Sequence, residues 1–285
     1  METILVTGAT GNVGRPLVSL LAAAGARVRA VTRDPGSARF PAGVEVLGSA
    51  ADGVAGADAV FLNSRALGET LPAVVEHALG TGVRRLVALS AINADDDYSR
   101  QPSRFRGDRN KETEQLAIDS GLEWVSLRPT VFASNFAGMW SQQTQSGDVI
   151  FGPFASASTA VIADRDISAV AARALLADEL LGRKVALTGP QALTNAELVE
   201  VLKTVLNRPL RYQEVPPDAV RAQFSAIGFP AQFADAYLGL LARTIDEPAT
   251  VTTEVERILG RPAESFAGWA GAHRALFAPP AVIRS

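Results

Sequence analysis

The stretch "TILVTGATGNVG", from Thr3 to Gly14, decides the fold of this 285-residue chain. Its apolar start predicts a buried strand, and the segment "VGRPLVSLLAAAG" that begins within it predicts a helix ending at Gly25. Glycines at positions 8, 11 and 14 follow the strand. Glycine lets a ligand approach the backbone, and the N-terminus of a helix favours negative charge. The stretch therefore predicts a phosphate-binding turn; the alternative is a tight strand-to-helix turn without a ligand.

Strand and helix patterns alternate beyond this turn. Predicted strands are "RVRAVTR" (27–33), "VEVLG" (44–48), "DAVFLN" (58–63), "RRLVALSA" (84–91) and "EWVSLRP" (123–129), and predicted helices include "LPAVVEHALGTG" (71–82) and "NKETEQLAIDSG" (110–121). Such alternation indicates crossover units on a parallel sheet, and apolar runs such as "AVFL" indicate a sheet covered on both faces. The predicted fold class is α/β, a doubly wound Rossmann parallel sheet with a smaller, mostly helical C-terminal lobe.

The sequence changes in character after the last of these strands. Residues 132–159, "FASNFAGMWSQQTQSGDVIFGPFASAST", are rich in aromatic residues, Ser and Gly, which is more typical of a ligand-lining connection than of a regular sheet. Helix and strand patterns resume with "DRDISAVAARALL" (164–176) and "KVALTG" (184–189), and "FAPPAVIRS" (277–285) is a tail. We predict a Rossmann domain over residues 1–152 and a substrate lobe over residues 153–285, with segments near 159–188 as candidates for a return to the sheet.

Composition excludes several classes of function. A net charge of −3 leaves no basic excess for nucleic acid or an anionic membrane. The chain has no cysteine, and its two histidines, His77 and His273, lie far apart, so we predict no metal site. No basic segment precedes an apolar one near residue 1, and "LVSLLAAAGARV" is too short to span a bilayer. We expect a soluble, cytoplasmic protein that acts on a small molecule, with a homodimer as one option.

The end of the second strand bears on the type of dinucleotide. An acidic residue about 20 positions past the glycines holds the ribose 2′-hydroxyl of NAD, whereas an arginine accommodates a 2′-phosphate. Arg33 lies at this place and Asp34 follows it. The guanidinium fork favours NADP over NAD, with Arg39 as a second possible phosphate contact. In the alternative, Arg33 is a solvated loop residue and Asp34 turns back to the ribose.

Several motifs together resemble one protein family. The segments "TGATGNVG", "VTRDP", "VALSA", "LEWVSLRPTVFASNF" and "VIADRDISAVAARAL" resemble the NmrA-like, NAD(P)H-binding branch of the atypical short-chain dehydrogenase/reductases, which includes quinone-oxidoreductase-like and isoflavone-reductase-like proteins. The resemblance covers about the first 190 residues and, more loosely, the rest. It implies a cleft between sheet and lobe for nicotinamide and substrate. Members of the family include reductases and non-catalytic redox sensors.

Position and resemblance give the candidate binding residues. The strand ends at Asn63, Ser64 and Ser90 lie where ligands bind in such sheets, and the loop after the sixth strand resembles the family's nicotinamide-packing loop. The predicted cofactor-binding residues are Gly8, Thr10, Gly11, Asn12, Val13, Gly14, Arg33, Asn63, Ser64, Ser90, Pro129, Thr130 and Phe132. The candidate substrate residues are Phe132, Asn135, Phe136, Trp140 and Phe154; the aromatic ones either line a pocket or pack the lobe onto the sheet.

The catalytic pair of the wider superfamily is missing. The tyrosines at 98, 212 and 237 are followed at the fourth place by Pro102, Pro216 and Leu241, so no Tyr-x-x-x-Lys pair exists. With Glu114 and Gly121 as anchors, the family's Lys position falls on Asn110 and its Tyr position on Arg106.

The candidate catalytic residues are therefore Ser90 and Lys111. Lys111 is one residue away from the family's Lys position, which turns it about 100° around the helix. It is either the amine that holds the nicotinamide ribose or a surface lysine. Ser90 is either a neighbour of the nicotinamide or a turn serine that caps the next segment.

Two functions fit the sequence. The first is an NADPH-dependent reductase that passes hydride to a small apolar carbonyl, enone, imine or quinone, since such acceptors need positioning more than a strong acid. The second is a non-catalytic NADP(H)-binding redox sensor, which the missing Tyr/Lys pair favours. An epimerase is a poorer third option, because that chemistry uses the absent tyrosine base.

Overall fold

A parallel sheet of seven strands forms the centre of the computed structural model, which describes residues 1–278. The strands lie in the order β3-β2-β1-β4-β5-β6-β9, and every neighbouring pair is parallel. They are β1 (Thr3–Val6), β2 (Arg27–Val31), β3 (Glu45–Leu47), β4 (Ala59–Asn63), β5 (Arg85–Leu89), β6 (Glu123–Pro129) and β9 (Arg183–Leu187). The strand order reverses between β1 and β4, which is where such sheets bind ligands.

Helices cover both faces of this sheet. One face carries α1 (Gly14–Ala23), α7 (Asp164–Leu176) and α11 (Glu254–Leu259), and the other carries α2 (Ala51–Val54), α4 (Leu71–Gly80) and α5 (Asn110–Asp119). Each face encloses a buried apolar cluster, centred on Phe61 on one side and on Leu62 on the other. The predicted doubly wound Rossmann sheet is confirmed.

The C-terminal lobe is mostly helical, as predicted. It comprises α6 (Ala133–Ser146), α8 (Asn195–Leu206), α9 (Pro217–Ala226), α10 (Ala231–Ala242) and α12 (Phe266–Ala272), with the strand pairs β7 (Val149–Gly152) and β11 (Arg211–Glu214), and β8 (Ser158–Thr159) and β10 (Leu193–Thr194). Short elements complete the chain: α3 (Ser64–Leu67) and the 3₁₀ turns Gly68–Thr70, Tyr98–Arg100, Pro102–Arg106 and Arg274–Phe277. The capping box of Thr194 and Glu197 opens α8.

Three segments side by side join the lobe to the sheet. Thr130 donates its N–H to the carbonyl of Leu187, and Phe132 bridges to Ile162 in parallel. Gly189 donates its N–H to the carbonyl of Ala160, and a Cβ on Gly189 would lie only 1.8 Å from the Val161 carbonyl oxygen. We refer to residues 130–133, 160–163 and 187–189 as the junction. The chain crosses it three times, since residues 164–187 return to the sheet as α7 and β9.

The expectation of an irregular connection over 132–159 is wrong for its first half, which forms α6. Buried residues at 133, 136, 137, 140 and 144 recur at helical spacing, and this period outweighs the local abundance of Ser and Gly. The predicted tail lies outside the described residues beyond position 278. Within the described part, no helix has the length and apolar character needed to cross a membrane.

Candidate functional site

The glycine-rich turn leads from β1 into α1 at the carboxyl edge of the sheet. Gly8 has a φ of +67°, a left-handed conformation that a side chain would strain. A Cβ on Gly14 would lie 2.1 Å from the carbonyl oxygen of Gly8, so the first helical turn packs directly on the loop. Gly11 closes the turn by donating its N–H to Gly8 at 3.0 Å. Position 8 therefore requires glycine because of its backbone conformation, and position 14 requires it because of the close contact with the Gly8 carbonyl.

Backbone donors of this turn are free to bind a ligand. The N–H groups of Asn12 and Val13 have no acceptor among residues 1–278, and the side chains of Thr10 and Asn12 are exposed. These donors lie at the N-terminus of α1, where the helix dipole favours an anion. The arrangement fits a phosphate group.

Two buried hydroxyl groups hold the turn in place from other elements. Ser168 on α7 donates its hydroxyl to the Val13 carbonyl at 2.8 Å. Thr32, at the end of β2, has its Oγ1 atom 3.3 Å from that of Thr10. Neither residue belonged to the predicted site. Ser168 lies in the quoted segment "VIADRDISAVAARAL", but no sequence pattern pairs it with Val13.

Arg33 is exposed immediately past β2. Its guanidinium makes no hydrogen bond or ion pair within the described residues, so it is available to a ligand. The carboxylate of Asp34 accepts the N–H of Ser37 at 3.3 Å, and hydrogen bonds from Ser37 lower the pKa of Asp34. The guanidinium of Arg39 donates to the carbonyls of Gly36 and Ala38, at 3.0 and 2.9 Å. Of these three side chains, only Arg33 is free in the structure.

Asn63 and Ser64 follow β4 beside the glycine turn. The Asn63 side-chain Oδ1 caps α3 by accepting the N–H of Arg65 at 3.1 Å, and the Asn63 Nδ2 lies next to Gly8. Ser64 is buried and accepts the N–H of Arg109 at 2.9 Å. Both side chains are therefore engaged within the protein, and they fix the surroundings of the turn.

Ser90 lies directly after β5 and meets the start of α5. Its hydroxyl donates to the Asn110 carbonyl at 3.1 Å, and only 3% of the residue is exposed. The Asn110 amide donates to Ser103 at 3.1 Å. Lys111, in the same helical turn, is half-buried with its Nζ 5.8 Å from the centre of the Tyr98 ring. The structure brings Ser90 and the first turn of α5 together.

A buried carboxylate fastens α5 to the sheet. Glu114 on α5 accepts hydrogen bonds from Arg128 at 2.6 and 2.8 Å and lies 3.0 Å from Lys184. Burial raises the pKa of Glu114, but hydrogen bonds from Arg128, Ser126 and Lys184 outweigh it and lower the pKa to about 2. The group stays ionised at neutral pH. It holds α5, and with it Asn110 and Lys111, against β6 and β9.

The loop after β6 contains the predicted nicotinamide contacts. Pro129 is buried, and its carbonyl accepts the N–H of Ile92 at 3.0 Å. Thr130 donates its hydroxyl to the Ala160 carbonyl, within the junction. Phe132 is partly exposed and packs against the apolar core of the sheet. This loop lies beside the end of β5, so the structure places it next to Ser90.

The aromatic candidates in the lobe separate into two groups. Phe136 and Trp140 are 3% and 5% exposed, with ring centres 4.8 Å apart, and pack against α8 and α12. These two rings belong to the apolar core of the lobe. Asn135 is exposed in the first turn of α6. Phe154 is partly exposed and has a φ of +46°, which is rare for a bulky residue.

A second aromatic group lies on α9 and α10 and did not belong to the predicted site. The rings of Phe224, Phe229, Phe233 and Tyr237 contact one another at centre distances of 4.4 to 6.4 Å. Helix α10 packs on the 3₁₀ turns that follow Ser90, and Arg106 lies 5.3 Å from the Phe229 ring. The sequence did contain a signal for this group. Four aromatic residues, at positions 224, 229, 233 and 237, lie close together along the chain.

A small cavity borders the glycine turn on the side of α12. Its volume is about 210 Å³, and Asn12, Ser134, Asp164 and His273 are among its lining residues. Asp164 accepts the Ser134 hydroxyl at 2.7 Å, and burial raises the pKa of Asp164. His273 stacks on Trp269 and lies 2.8 Å from that residue's carbonyl oxygen. Neither His273 nor the half-buried His77 belongs to a group of potential metal ligands in the described part of the chain.

Comparison with known proteins agrees with this architecture. A reductase of (4-alkanoyl-5-oxo-2,5-dihydrofuran-3-yl)methyl phosphate from Streptomyces griseus is 37% identical, over 97% of this chain and 99% of its own length. An NAD(P)H azoreductase from Xenophilus azovorans is 31% identical, over 96% and 99%. The solved structure of an NADPH-dependent quinone oxidoreductase from Escherichia coli, complexed with NADPH, matches with a TM-score of 0.79 at 21% identity, over 95% and 99%.

A family model also matches the chain. The model of the NmrA-like family covers residues 1–256, which include the whole Rossmann sheet and α10 of the lobe. The resemblance stated from sequence motifs is confirmed by this match and by the identity to the two curated relatives. The chain belongs to the NmrA-like family.

Proposed function

We propose that the protein is an NADPH-dependent reductase that transfers hydride to a small, apolar acceptor. A conjugated carbonyl, meaning an enone, an unsaturated lactone or a quinone, is the favoured acceptor. The observation that carries the proposal is the phosphate-binding turn with Arg33 free beside it. The reduced nicotinamide would supply the hydride when bound, and the chain's own residues would bind and orient both molecules.

The turn and Arg33 support NADPH as the cofactor. The free N–H groups of Asn12 and Val13 suit the pyrophosphate. Arg33 lies at the end of β2, the place from which a 2′-phosphate is held, while Asp34 is turned toward Ser37. The parallel N–H donors of a guanidinium group match the geometry of a phosphate, and the positive charge of the group attracts the phosphate.

The relatives support a conjugated acceptor. The substrate named for the Streptomyces enzyme is an unsaturated lactone that bears an alkanoyl group and a methyl phosphate group, and the Xenophilus enzyme is named for azo reduction. Both names describe acceptors with conjugated double bonds, C=C beside a carbonyl group in one and N=N in the other. This chemistry is compatible with a site in which Ser90 and Lys111, rather than a Tyr/Lys pair, lie at the end of β5.

A redox sensor is the second candidate. The engagement of the Ser90 hydroxyl with the Asn110 carbonyl favours it, because no free hydroxyl then remains at this position for proton transfer. A sensor would bind NADP(H) through the same turn and Arg33. The two functions differ only in the fate of bound NADPH.

The fluorescence of NADPH tests the proposed function. We expect enhanced fluorescence when NADPH is titrated with the protein, followed by decay when an enone, an unsaturated lactone or a quinone is added without oxygen. The decay must exceed that of a protein-free blank. Stable binding of NADPH against the whole panel, with imines and azo compounds included, would reject the reductase and support the sensor.

Arg33→Ala tests the choice of cofactor. We expect the affinity for NADPH to fall by roughly tenfold or more, because a charge-assisted contact to the 2′-phosphate is lost, while the affinity for NADH stays the same. Isothermal titration calorimetry with both cofactors measures this ratio. Arg27→Ala, at the opposite end of the same strand, is the matched control and should change neither affinity. An unchanged ratio for Arg33→Ala would place the 2′-phosphate elsewhere.

A further inference from the structure

Tyr237 is half-buried, and its hydroxyl group lacks a strong hydrogen-bond partner. Its contact within the described residues is the Met139 sulfur atom at 4.0 Å, and a thioether is a weak acceptor. Burial raises the pKa of Tyr237 to about 12. Tyrosine hydroxyls that leave water normally find an oxygen or nitrogen partner. The Tyr237 hydroxyl can therefore donate a hydrogen bond to another molecule.

The other two tyrosines differ in this respect. Tyr212 donates its hydroxyl to the Pro153 carbonyl at 2.7 Å, a contact that ties β11 to β7. Tyr98 is 43% exposed, so water satisfies its hydroxyl, and the guanidinium of Arg104 covers its ring at 3.7 Å. Tyr237 is a half-buried tyrosine whose hydroxyl has no oxygen or nitrogen partner within residues 1–278.

Tyr237 lies on α10, which borders the turns that follow β5. Helix α10 packs on the 3₁₀ turns Tyr98–Arg100 and Pro102–Arg106, which follow Ser90. On the other side, Met139 belongs to α6, which begins directly after the junction. Met139 is six residues past the start of α6, about 9 Å along its axis, and helical side chains lean back toward the N-terminus.

Asn135 completes this corner of the cleft. It lies four residues before Met139 and therefore on the same face of α6, one turn closer to the predicted nicotinamide loop. Asn135 is exposed, so the face that carries Met139 opens toward solvent at this turn. Tyr237 therefore lies between the turns that follow Ser90 and this face of α6.

We propose that Tyr237 donates its hydroxyl to the oxygen atom of the acceptor and serves as the proton donor that the Rossmann domain lacks. The inference rests on the proposed reductase function. It assigns the acid to the C-terminal lobe and requires an acceptor that carries a carbonyl or quinone oxygen. The rings of Phe224 and Phe233 contact the Tyr237 ring and fix its position, with ring centres 5.3 and 6.4 Å away.

The proton step balances with water as the source. Hydride addition to the acceptor forms a C–H bond and breaks the C=O or C=C π bond, and that electron pair moves onto the oxygen. The Tyr237 O–H bond then breaks and its proton goes to this oxygen. The phenolate recovers a proton from water through the open side of the cleft, so each turnover consumes one proton from solvent.

Tyr237→Phe and Tyr212→Phe form the matched pair for a test. The probe is menadione, a quinone, bound to the protein saturated with NADP⁺, in which no reduction occurs. Isothermal titration calorimetry gives its dissociation constant. We expect Tyr237→Phe to weaken menadione binding roughly tenfold, as for one lost hydrogen bond. The affinity for NADP⁺ and the unfolding temperature should not change.

Tyr212→Phe should show the opposite pattern, with a lower unfolding temperature and unchanged menadione affinity. In turnover assays, Tyr237→Phe should lower kcat as well as raise KM. The proposal is overturned if Tyr237→Phe binds menadione like the wild type, or if the wild-type NADP⁺ complex does not bind menadione at all. Failure of the reductase function appears separately, as menadione binding without oxidation of NADPH in the fluorescence assay.

Discussion

Gly14→Ala is expected to abolish measurable NADPH binding and to destabilise the fold. The added Cβ would lie 2.1 Å from the Gly8 carbonyl oxygen and 2.8 Å from the Ala9 Cα, and both are backbone atoms that no rotamer change can move. The turn must shift as a whole, and with it the N–H groups of Asn12 and Val13. Overpacking of this kind costs about 3 kcal/mol or more in the free energy of unfolding.

The control for this variant is Gly138→Ala on α6. Gly138 is exposed, and a Cβ there meets no atom within 4 Å. Alanine is a better helix former than glycine, so stability should rise by up to about 1 kcal/mol with NADPH affinity unchanged. Calorimetric titration with NADPH and thermal unfolding give both quantities. Wild-type NADPH affinity in Gly14→Ala would show that the pyrophosphate does not bind at this turn.

Glu114→Gln is expected to lower the free energy of unfolding by about 3 kcal/mol at neutral pH. Glu114 is 4% exposed at its side chain and faces both Arg128 and Lys184. Removing one partner of a buried ion pair leaves an uncompensated charge behind. The control is Glu200→Gln, whose side chain is 59% exposed in a pair with Lys203 and should contribute less than about 1 kcal/mol. Urea unfolding of the three proteins measures the differences.

The same carboxylate predicts a dependence of stability on pH. The pKa of Glu114 is about 2 in the folded state against 4.5 without interactions. The depressed pKa stabilises the fold fully above the unfolded value, and this contribution is lost as pH falls from about 4.5 toward about 2. Wild type should therefore lose more stability than Glu114→Gln over this window. Parallel loss in both proteins would mean that Glu114 is not the group responsible.

The sequence predicted the sheet and the turn because local patterns determine them. Apolar runs at strand length and the spacing of Gly8, Gly11 and Gly14 are sufficient for a crossover unit with a ligand turn. Arg33 was selected in the same way, since its distance from the glycines is fixed by the length of α1 and β2, and its contact with a 2′-phosphate stays a prediction. These features can be predicted without knowing which distant segments contact one another.

The remaining parts of the site depend on contacts between distant segments. The hydroxyl of Ser168 reaches the Val13 carbonyl across 155 positions, and Tyr237 meets Met139 across 98. No periodicity signals such pairs. The helix over 133–146 was missed for a different reason: its buried period was present, but the abundance of Ser and Gly in the same segment was given more weight.

The junction also limits how substrate and product can exchange. Three hydrogen-bonded segments, with Gly189 in close contact with the Val161 carbonyl, resist rotation of the lobe as a rigid body. Helices α9 and α10 lie outside the junction: they are held by the exposed ion pair of Arg243 with Asp96, by contacts with the 3₁₀ turns and by the hydrogen bond from the Ser158 N–H to the Thr244 carbonyl. For the proposed reductase, we expect opening toward the substrate to involve this helical pair, so that the rate of product release follows its local motion.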